Sequence, residues 1–169
     1  MEQKISKKIA WLRGLITAAC VLSGLLAGGT VDRFVIQMPA WRHLSILNWG
    51  ADYSRYADLG NGLFLYPFEA IGSTVLLIGA SLIVLIGKAS FKSAALSIHI
   101  AMVLALMGLF FAIFAAPVML SVLGLDHNAI SLQQAFDKFL FYSQWRAIAQ
   151  ILSFCCCVSA VQRVFSISK

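Results

Sequence analysis

The sequence is poor in charged residues. Lys, Arg, Asp and Glu together make up 12% of its 169 residues, which is about half of their share in an average soluble domain. Apolar residues make up 60% of the chain, and the mean hydropathy is +0.86. Because so few charges cannot form the solvated surface of a soluble protein, the composition predicts an integral membrane protein.

The chain also lacks the common motifs of soluble enzymes. It has no Walker loop, no dinucleotide-binding glycine fingerprint and no nucleophile elbow. Its basic stretches are too short for a nucleic-acid surface, so no nucleic-acid partner is expected. Three prolines and the absence of low-complexity tracts indicate one domain, residues 1–169, without a flexible linker.

Cysteine and histidine are present in patterns that do not predict redox or metal chemistry. Cys20 and the run Cys155 to Cys157 contain no Cys-x-x-Cys pair, on which four-helix thiol oxidoreductases depend. We therefore interpret the cysteines as apolar packing residues. His99 is interpreted as a packed or snorkelling side chain, since a metal site needs several converging ligands. Haem ligation by His99 is the alternative, but we expect neither a metal nor another cofactor.

Four apolar runs are long enough to cross a bilayer, because about 20 helical residues cover roughly 30 Å of hydrocarbon. We predict an all-α four-helix membrane bundle with spans near 9–31, 61–87, 93–123 and 140–165. The first run also resembles a secretory signal peptide, which is the alternative for it. Pro39 should break the chain in the first loop, and Pro117 should kink or end the third helix. Ser131 with Gln134 resembles a capping box that opens the fourth.

Charge placement predicts the topology of these spans. Both termini and the loop at 88–92 are basic, whereas the other two loops are balanced or acidic. By the positive-inside rule, both termini are cytoplasmic and the loop at 30–60 lies outside. In that loop, Trp49, Tyr53 and Tyr56 are spaced as on one face of a short interfacial helix, and Trp41 is expected to be a second anchor. We expect such a multi-pass protein in a bacterial inner (plasma) membrane.

One carboxylate, Glu69, lies inside the second apolar run. Because a carboxylate facing lipid is costly, Glu69 should face the bundle interior. Arg146 is expected at a similar depth in the fourth helix, so we predict an ion pair between them that neutralises both charges. Tyr66 lies on the same helical stripe as Glu69 and is the third candidate for a catalytic role.

Around this pair we predict a polar site that opens to the outside. Its expected ligand-binding residues are Tyr142, Gln150, Trp145, Asp58, Asp32 and Arg33. Of these, Asp58, Asp32 and Arg33 are expected near its mouth, together with His127. A purely structural clamp between the second and fourth helices is the alternative interpretation of the same residues.

Three blocks of sequence resemble one family of membrane proteins. They are Ala57 to Ser73, Ala115 to Gly124, and Phe141 to Arg146. Together they resemble the small four-helix membrane proteins grouped as the DUF1772 or anthrone oxygenase-like family, in which Trp145 and Arg146 would correspond to a Trp and a basic residue near the start of helix four. The resemblance implies a four-helix membrane fold and, as in some members, cofactor-independent oxidation of polycyclic aromatic anthrones. The aromatic first outer loop also resembles that of claudin-like proteins, but it lacks their paired cysteines.

Two classes of function remain open. In the first, an apolar aromatic or lipid-like molecule enters an outer cavity, where Glu69, Tyr66 and Arg146 supply proton transfer or anion stabilisation. In the second, the protein is a non-catalytic scaffold or accessory subunit whose Gly/Ala faces bind another protein or a second copy. An elongated cavity touching Glu69 would favour the first class, and a tightly filled bundle with an exposed Gly/Ala stripe would favour the second.

Overall fold

The described part of the chain is helical almost throughout. The computed structural model describes residues 2–43, 45–56, 62–87, 91–122 and 128–166, and it contains no strand within these ranges. The elements are α1 Glu2–Asp32, a π-helical turn Arg33–Gln37, α2 Met38–His43, α3 Ile46–Tyr56, α4 Gly62–Gly87, α5 Lys92–Ser121 and α6 Ala129–Ser166.

Four segments in these ranges are long and apolar enough to cross a membrane. They are Lys7–Trp41, Phe64–Gly87, Lys92–Ser121 and Ala129–Ser166. The prediction of an all-α, multi-pass membrane protein is confirmed at this level.

The four long helices form a bundle in which α1 packs against α4 and α6, and α5 packs against the same two helices. The order around the bundle is therefore α1, α4, α5, α6. Consequently α4 and α6 face each other across a diagonal, as do α1 and α5. We call the end with Glu2 and Ser166 the terminal end, and the end from which α2 and α3 extend the α2–α3 end.

The first helix is longer than the sequence predicts. Instead of giving way to a loop near residue 31, α1 continues through the π-helical turn into α2 and ends at His43. Pro39, which we expected to break the chain, lies inside α2. The π-helical turn immediately precedes Pro39, and the Met38 N–H donates to the carbonyl of Arg33, five residues earlier. Because a proline ring clashes with the carbonyl four residues earlier, this local widening lets the helix continue past Pro39.

The last helix begins at Ala129, two residues before Ser131, where the proposed capping box would open it. Asn128 caps it, since its Oδ1 accepts the N–H of Ile130 at 3.0 Å. The proposed capping box at Ser131 therefore lies inside the helix and does not open it. Pro117 likewise does not end α5, which runs on to Ser121.

The first core lies between the four long helices and consists mostly of small and aliphatic side chains. Its fully buried members include Leu12, Ile16, Leu77 and Ile98. Cys157 belongs to this core, which confirms its interpretation as a packing residue. Such small residues let helix backbones approach closely where lipid gives little hydrophobic driving force between helices.

The second core lies at the α2–α3 end and is built from larger side chains. Trp49 is only 2% exposed, and its ring contacts Phe136 edge-on at 5.0 Å between centroids. The short helix predicted around Trp49 is confirmed as α3, but Trp49 is a core residue and not a membrane anchor. Trp41 packs against it, with 6.3 Å between the ring centroids. The side chains of Tyr53 and Tyr56 lie outside the described part of the structure.

Gly87 provides a test of how tightly the first core is packed at the terminal end. A Cβ at this position would overlap Cε2 of Phe91, which is buried in that core. We expect Gly87→Ala to lower the free energy of unfolding by about 1–3 kcal/mol through overpacking, measured by thermal unfolding in mild detergent. Gly14→Ala is the control, because a Cβ at Gly14 meets nothing within 4 Å. Equal effects of the two substitutions would contradict this packing.

Candidate functional site

Arg33, Glu69 and Arg146 lie at a similar depth in the bundle. About 20 residues of helix, enough to span the hydrocarbon, separate Arg13 near the terminal end of α1 from Arg33. A similar number of residues separates Arg146 from Arg163, which lies in the last turn of α6. A similar number also separates Glu69 from Gly87 at the end of α4. All three residues therefore lie towards the α2–α3 end of the four apolar helices.

Glu69 faces the interior of the bundle. Its side chain is 5% exposed, and Ser73 and Ala80, on the same stripe of α4, are also buried. The inward orientation predicted for this carboxylate is thus confirmed, and it agrees with the high cost of a carboxylate that faces lipid.

The predicted ion pair between Glu69 and Arg146 is not formed. The Nε of Arg146 has no hydrogen-bond partner among the described residues, and the neighbouring charge that acts on Arg146 is that of Arg33. Tyr66 of α4 also acts on Arg146, whereas Glu69 is not among the groups that do so.

Arg33, Tyr66 and Arg146 come together instead, and we call them the two-arginine site. The guanidinium of Arg33 lies over the ring of Tyr66, with 5.1 Å from Cζ to the ring centroid, a cation–π geometry. Arg146 is close enough to both Arg33 and Tyr66 to interact with them electrostatically. Gly29 makes room for this arrangement, because a Cβ there would lie 3.3 Å from Cε1 of Tyr66. The site thus joins α4, α6 and the π-helical turn.

The charge of the two-arginine site is not matched by an ion pair within the part of the chain that the structure describes. Neither Arg33 nor Arg146 has a hydrogen-bond partner at its buried Nε within the described residues. The carboxylate next to Arg33 in sequence, Asp32, accepts the Nε2–H of Gln37 at 2.7 Å instead. Two like charges in a region of low dielectric repel each other. The arrangement therefore concentrates positive charge at this point of the bundle.

A polar layer lies one helical turn below the two-arginine site. The Oγ1 of Thr30 is 2.8 Å from the carbonyl oxygen of Leu26 and 2.8 Å from Oε1 of Gln150. Next to this layer is a cavity of about 10 Å³, far smaller than the roughly 300–1,000 Å³ of a typical ligand pocket. Glu69 does not line this cavity. The elongated ligand cavity that would favour an internal small-molecule site is thus not found at this position.

The other predicted ligand-binding residues lie elsewhere. Tyr142 stacks on Phe114, and Trp145 stacks on Phe111, so both are on the α5 side of α6. Asp32 is exposed and bonded to Gln37. Asp58 and His127 lie outside the described residues. Of the predicted set, the structure brings together Arg33, Tyr66 and Arg146, with Gln150 in the layer below them.

Sequence reasoning missed Thr30, because the first helix was expected to end there. The available signal was its spacing: Thr30 lies three residues before Arg33, on the same face of a continuous helix. The Nδ1 of His99 lies 2.7 Å from Oγ of Ser81. Within the described ranges, no group of three His, Cys, Asp or Glu side chains converges on a point that could hold a metal ion.

Comparisons with known proteins identify no relative of this chain. No family model matches it, and neither a curated protein nor a solved structure does so. The resemblance to the anthrone oxygenase-like family therefore stays a prediction, and the function is argued below from the site alone.

Proposed function

We propose that this membrane protein binds an anionic amphiphile, a lipid-like molecule with an acidic headgroup, at the two-arginine site. The observation that carries the proposal is the pair of neighbouring arginines whose buried Nε atoms have no partner among the described residues. Charged side chains near the hydrocarbon are costly unless they are neutralised. One phosphate or carboxylate between Arg33 and Arg146 would neutralise both, and the guanidinium fork suits either group.

The apolar part of this ligand would lie on the outer surface of the bundle. The central cavity is too small to hold it, and the surface near the site exposes large apolar side chains such as Val35, Ile36 and Phe141. The depth of Arg33 and Arg146 also matches the boundary between lipid headgroups and acyl chains. A lipid tail could therefore stay in the bilayer while its headgroup contacts the two arginines.

Each residue of the site has a separate role in this proposal. Arg33 and Arg146 bind the anion, and the ring of Tyr66 fixes the position of the Arg33 guanidinium. Glu69 lies about one turn deeper than Tyr66 on the same face of α4. Its carboxyl group would keep an anion from moving further into the bundle by like-charge repulsion.

We also propose an orientation of the two-arginine site in the membrane, but no oxidation of a ligand. By the positive-inside rule, the basic terminal end is cytoplasmic, so the two-arginine site faces outwards, as in a protein of a bacterial inner membrane. Oxidation of a tricyclic anthrone, which the family resemblance implies, would need an enclosing pocket, and the cavity of about 10 Å³ beside Gln150 gives it no support. We therefore propose binding alone.

An accessory-subunit role is the second candidate, and one surface feature favours it. Ala10, Gly14 and Ala18 of α1 line an open apolar groove together with Trp11, Leu15 and Leu76. Small residues at such spacing are typical of close helix–helix contacts in membranes. A partner helix on this face would not involve the two-arginine site, so the two candidates can be tested separately.

Lipid binding can be tested with Arg33→Gln, Arg146→Gln and the double variant. In native mass spectrometry, we expect the wild type to bind a short-chain phosphatidylglycerol in preference to the matching phosphatidylcholine. Since a hydrogen bond to a charged group contributes about 1.5–3 kcal/mol, each substitution should weaken this binding at least about tenfold.

Arg163→Gln is the matched control, because Arg163 is exposed at the terminal end and donates to the carbonyl of Ser93. This variant should bind the anionic lipid as the wild type does. Equal binding by the wild type and the Arg33/Arg146 double variant would refute the proposal. A partner protein that co-purifies with the double variant and is released by Gly14→Leu would then support the accessory-subunit role.

A further inference from the structure

We propose that the cavity at the centre of the bundle is a binding site for a single water molecule, held by Gln150 and by hydroxyl groups from the other helices. This inference concerns the polar layer below the two-arginine site and does not depend on anion binding there.

The cavity is enclosed by all four long helices. It is lined by Ser23 and Leu26 of α1, Ala70, Ser73 and Thr74 of α4, Ala105 and Leu109 of α5, and Gln150 and Ser153 of α6. Its volume of about 10 Å³ is at the lower limit of the space that one water molecule requires. A larger ligand is excluded by size, and five of the nine lining residues carry a polar side chain that can hydrogen-bond to a small occupant.

Gln150 supplies an unused polar group to this cavity. Its side chain is 6% exposed, and among the described residues its one side-chain hydrogen bond is to Thr30. A primary amide can donate two hydrogen bonds and accept two, so most of its capacity is not used. The cavity-lining residues of α5, Ala105 and Leu109, are apolar. Gly108 of α5 lies close to Gln150, because a Cβ on it would be 3.3 Å from Cγ of Gln150. The α5 face therefore offers Gln150 no polar side chain.

Three hydroxyl groups around the cavity already donate their hydrogens to backbone carbonyl groups. Ser73 and Thr74 donate to the carbonyl of Ala70 at 3.1 and 2.7 Å, and Ser153 donates to the carbonyl of Ala101 at 2.9 Å. Their oxygens therefore enter the cavity as acceptors. A water molecule fits this pattern because it supplies two hydrogens to these acceptors and accepts one from the Gln150 amide. These are about the three bonds that buried waters usually make.

Nuclear Overhauser contacts between water and the side-chain amide of Gln150 test the proposal. The protein would be labelled with ¹⁵N-glutamine in detergent micelles, and the Gln150 signal would be identified by its loss in Gln150→Met. We expect a contact between this amide and a long-lived water in the wild type. Ser73→Val adds a methyl group to the cavity and should remove the contact, whereas Ser73→Ala leaves room for the water and should keep it.

Two results would overturn the proposal: no water contact at Gln150 in the wild type, or an undiminished contact in a folded, cavity-filled variant. If Ser73→Val does not fold, Ala105→Val fills the same cavity from α5 and gives the same test.

Discussion

Replacing Trp49 with alanine is expected to lower the free energy of unfolding by about 3–5 kcal/mol, the usual cost of deleting a buried aromatic side chain. Trp49 is 2% exposed and contacts Phe136 and Trp41 in the second core. This core lies on the α2–α3 side of Arg33 and Arg146, and we expect it outside the roughly 30 Å of hydrocarbon counted from the terminal end. Water is then the alternative environment for Trp49, and the full hydrophobic effect applies to it.

Trp11→Ala is the matched control for this prediction. Trp11 is 70% exposed on α1, so its removal leaves no cavity. We expect a change in unfolding free energy within about 0.5 kcal/mol for this variant, with both variants measured by denaturant titration in the same detergent. If Trp49→Ala were as mild as Trp11→Ala, α3 would not be packed on the bundle as the structure shows.

The sequence predicted the helices better than the side chains that they bury. The spacing of Trp49, Tyr53 and Tyr56 correctly indicated a helix, now seen as α3. The same spacing could not distinguish a face buried against protein from one that lies in the membrane interface, because both are apolar. That choice depends on Phe136, which is distant in sequence. The α1 boundary was wrong for a local reason, since Pro39 was expected to end a helix that a π-helical turn allows to continue.

The candidate site could be predicted in part. The inward orientation of Glu69 follows from the cost of exposing a carboxylate to lipid. The partner of Arg146 does not follow from the sequence, because apolar runs do not reveal the order of helices around a bundle. With α4 and α6 on a diagonal, Arg146 comes close to Arg33, which sequence reasoning had placed at the rim of the site. Tyr66 was a candidate, but its contact with Arg33 requires the space left by Gly29.

Reversing the charge of Arg146 is expected to stabilise the protein and to abolish binding of the anionic lipid. In Arg146→Glu, the repulsion between Arg146 and Arg33 becomes an attraction between opposite charges at the same place. We expect the free energy of unfolding to rise by about 1–3 kcal/mol, the scale of a hydrogen bond to a charged group. Binding of phosphatidylglycerol should be lost, because the remaining arginine would be neutralised within the protein.

Three further variants separate this explanation from a general effect of removing Arg146. Arg146→Gln relieves the repulsion without adding an attraction, so its stability should lie between those of the wild type and Arg146→Glu. Arg33→Glu should reproduce the stabilisation, because the interaction is reciprocal. In the double variant Arg33→Glu/Arg146→Glu, two carboxylates would face each other and the gain should disappear. If Arg146→Glu were instead less stable than Arg146→Gln, Arg33 and Arg146 would not interact across the site, and a shared anion between them could not be maintained.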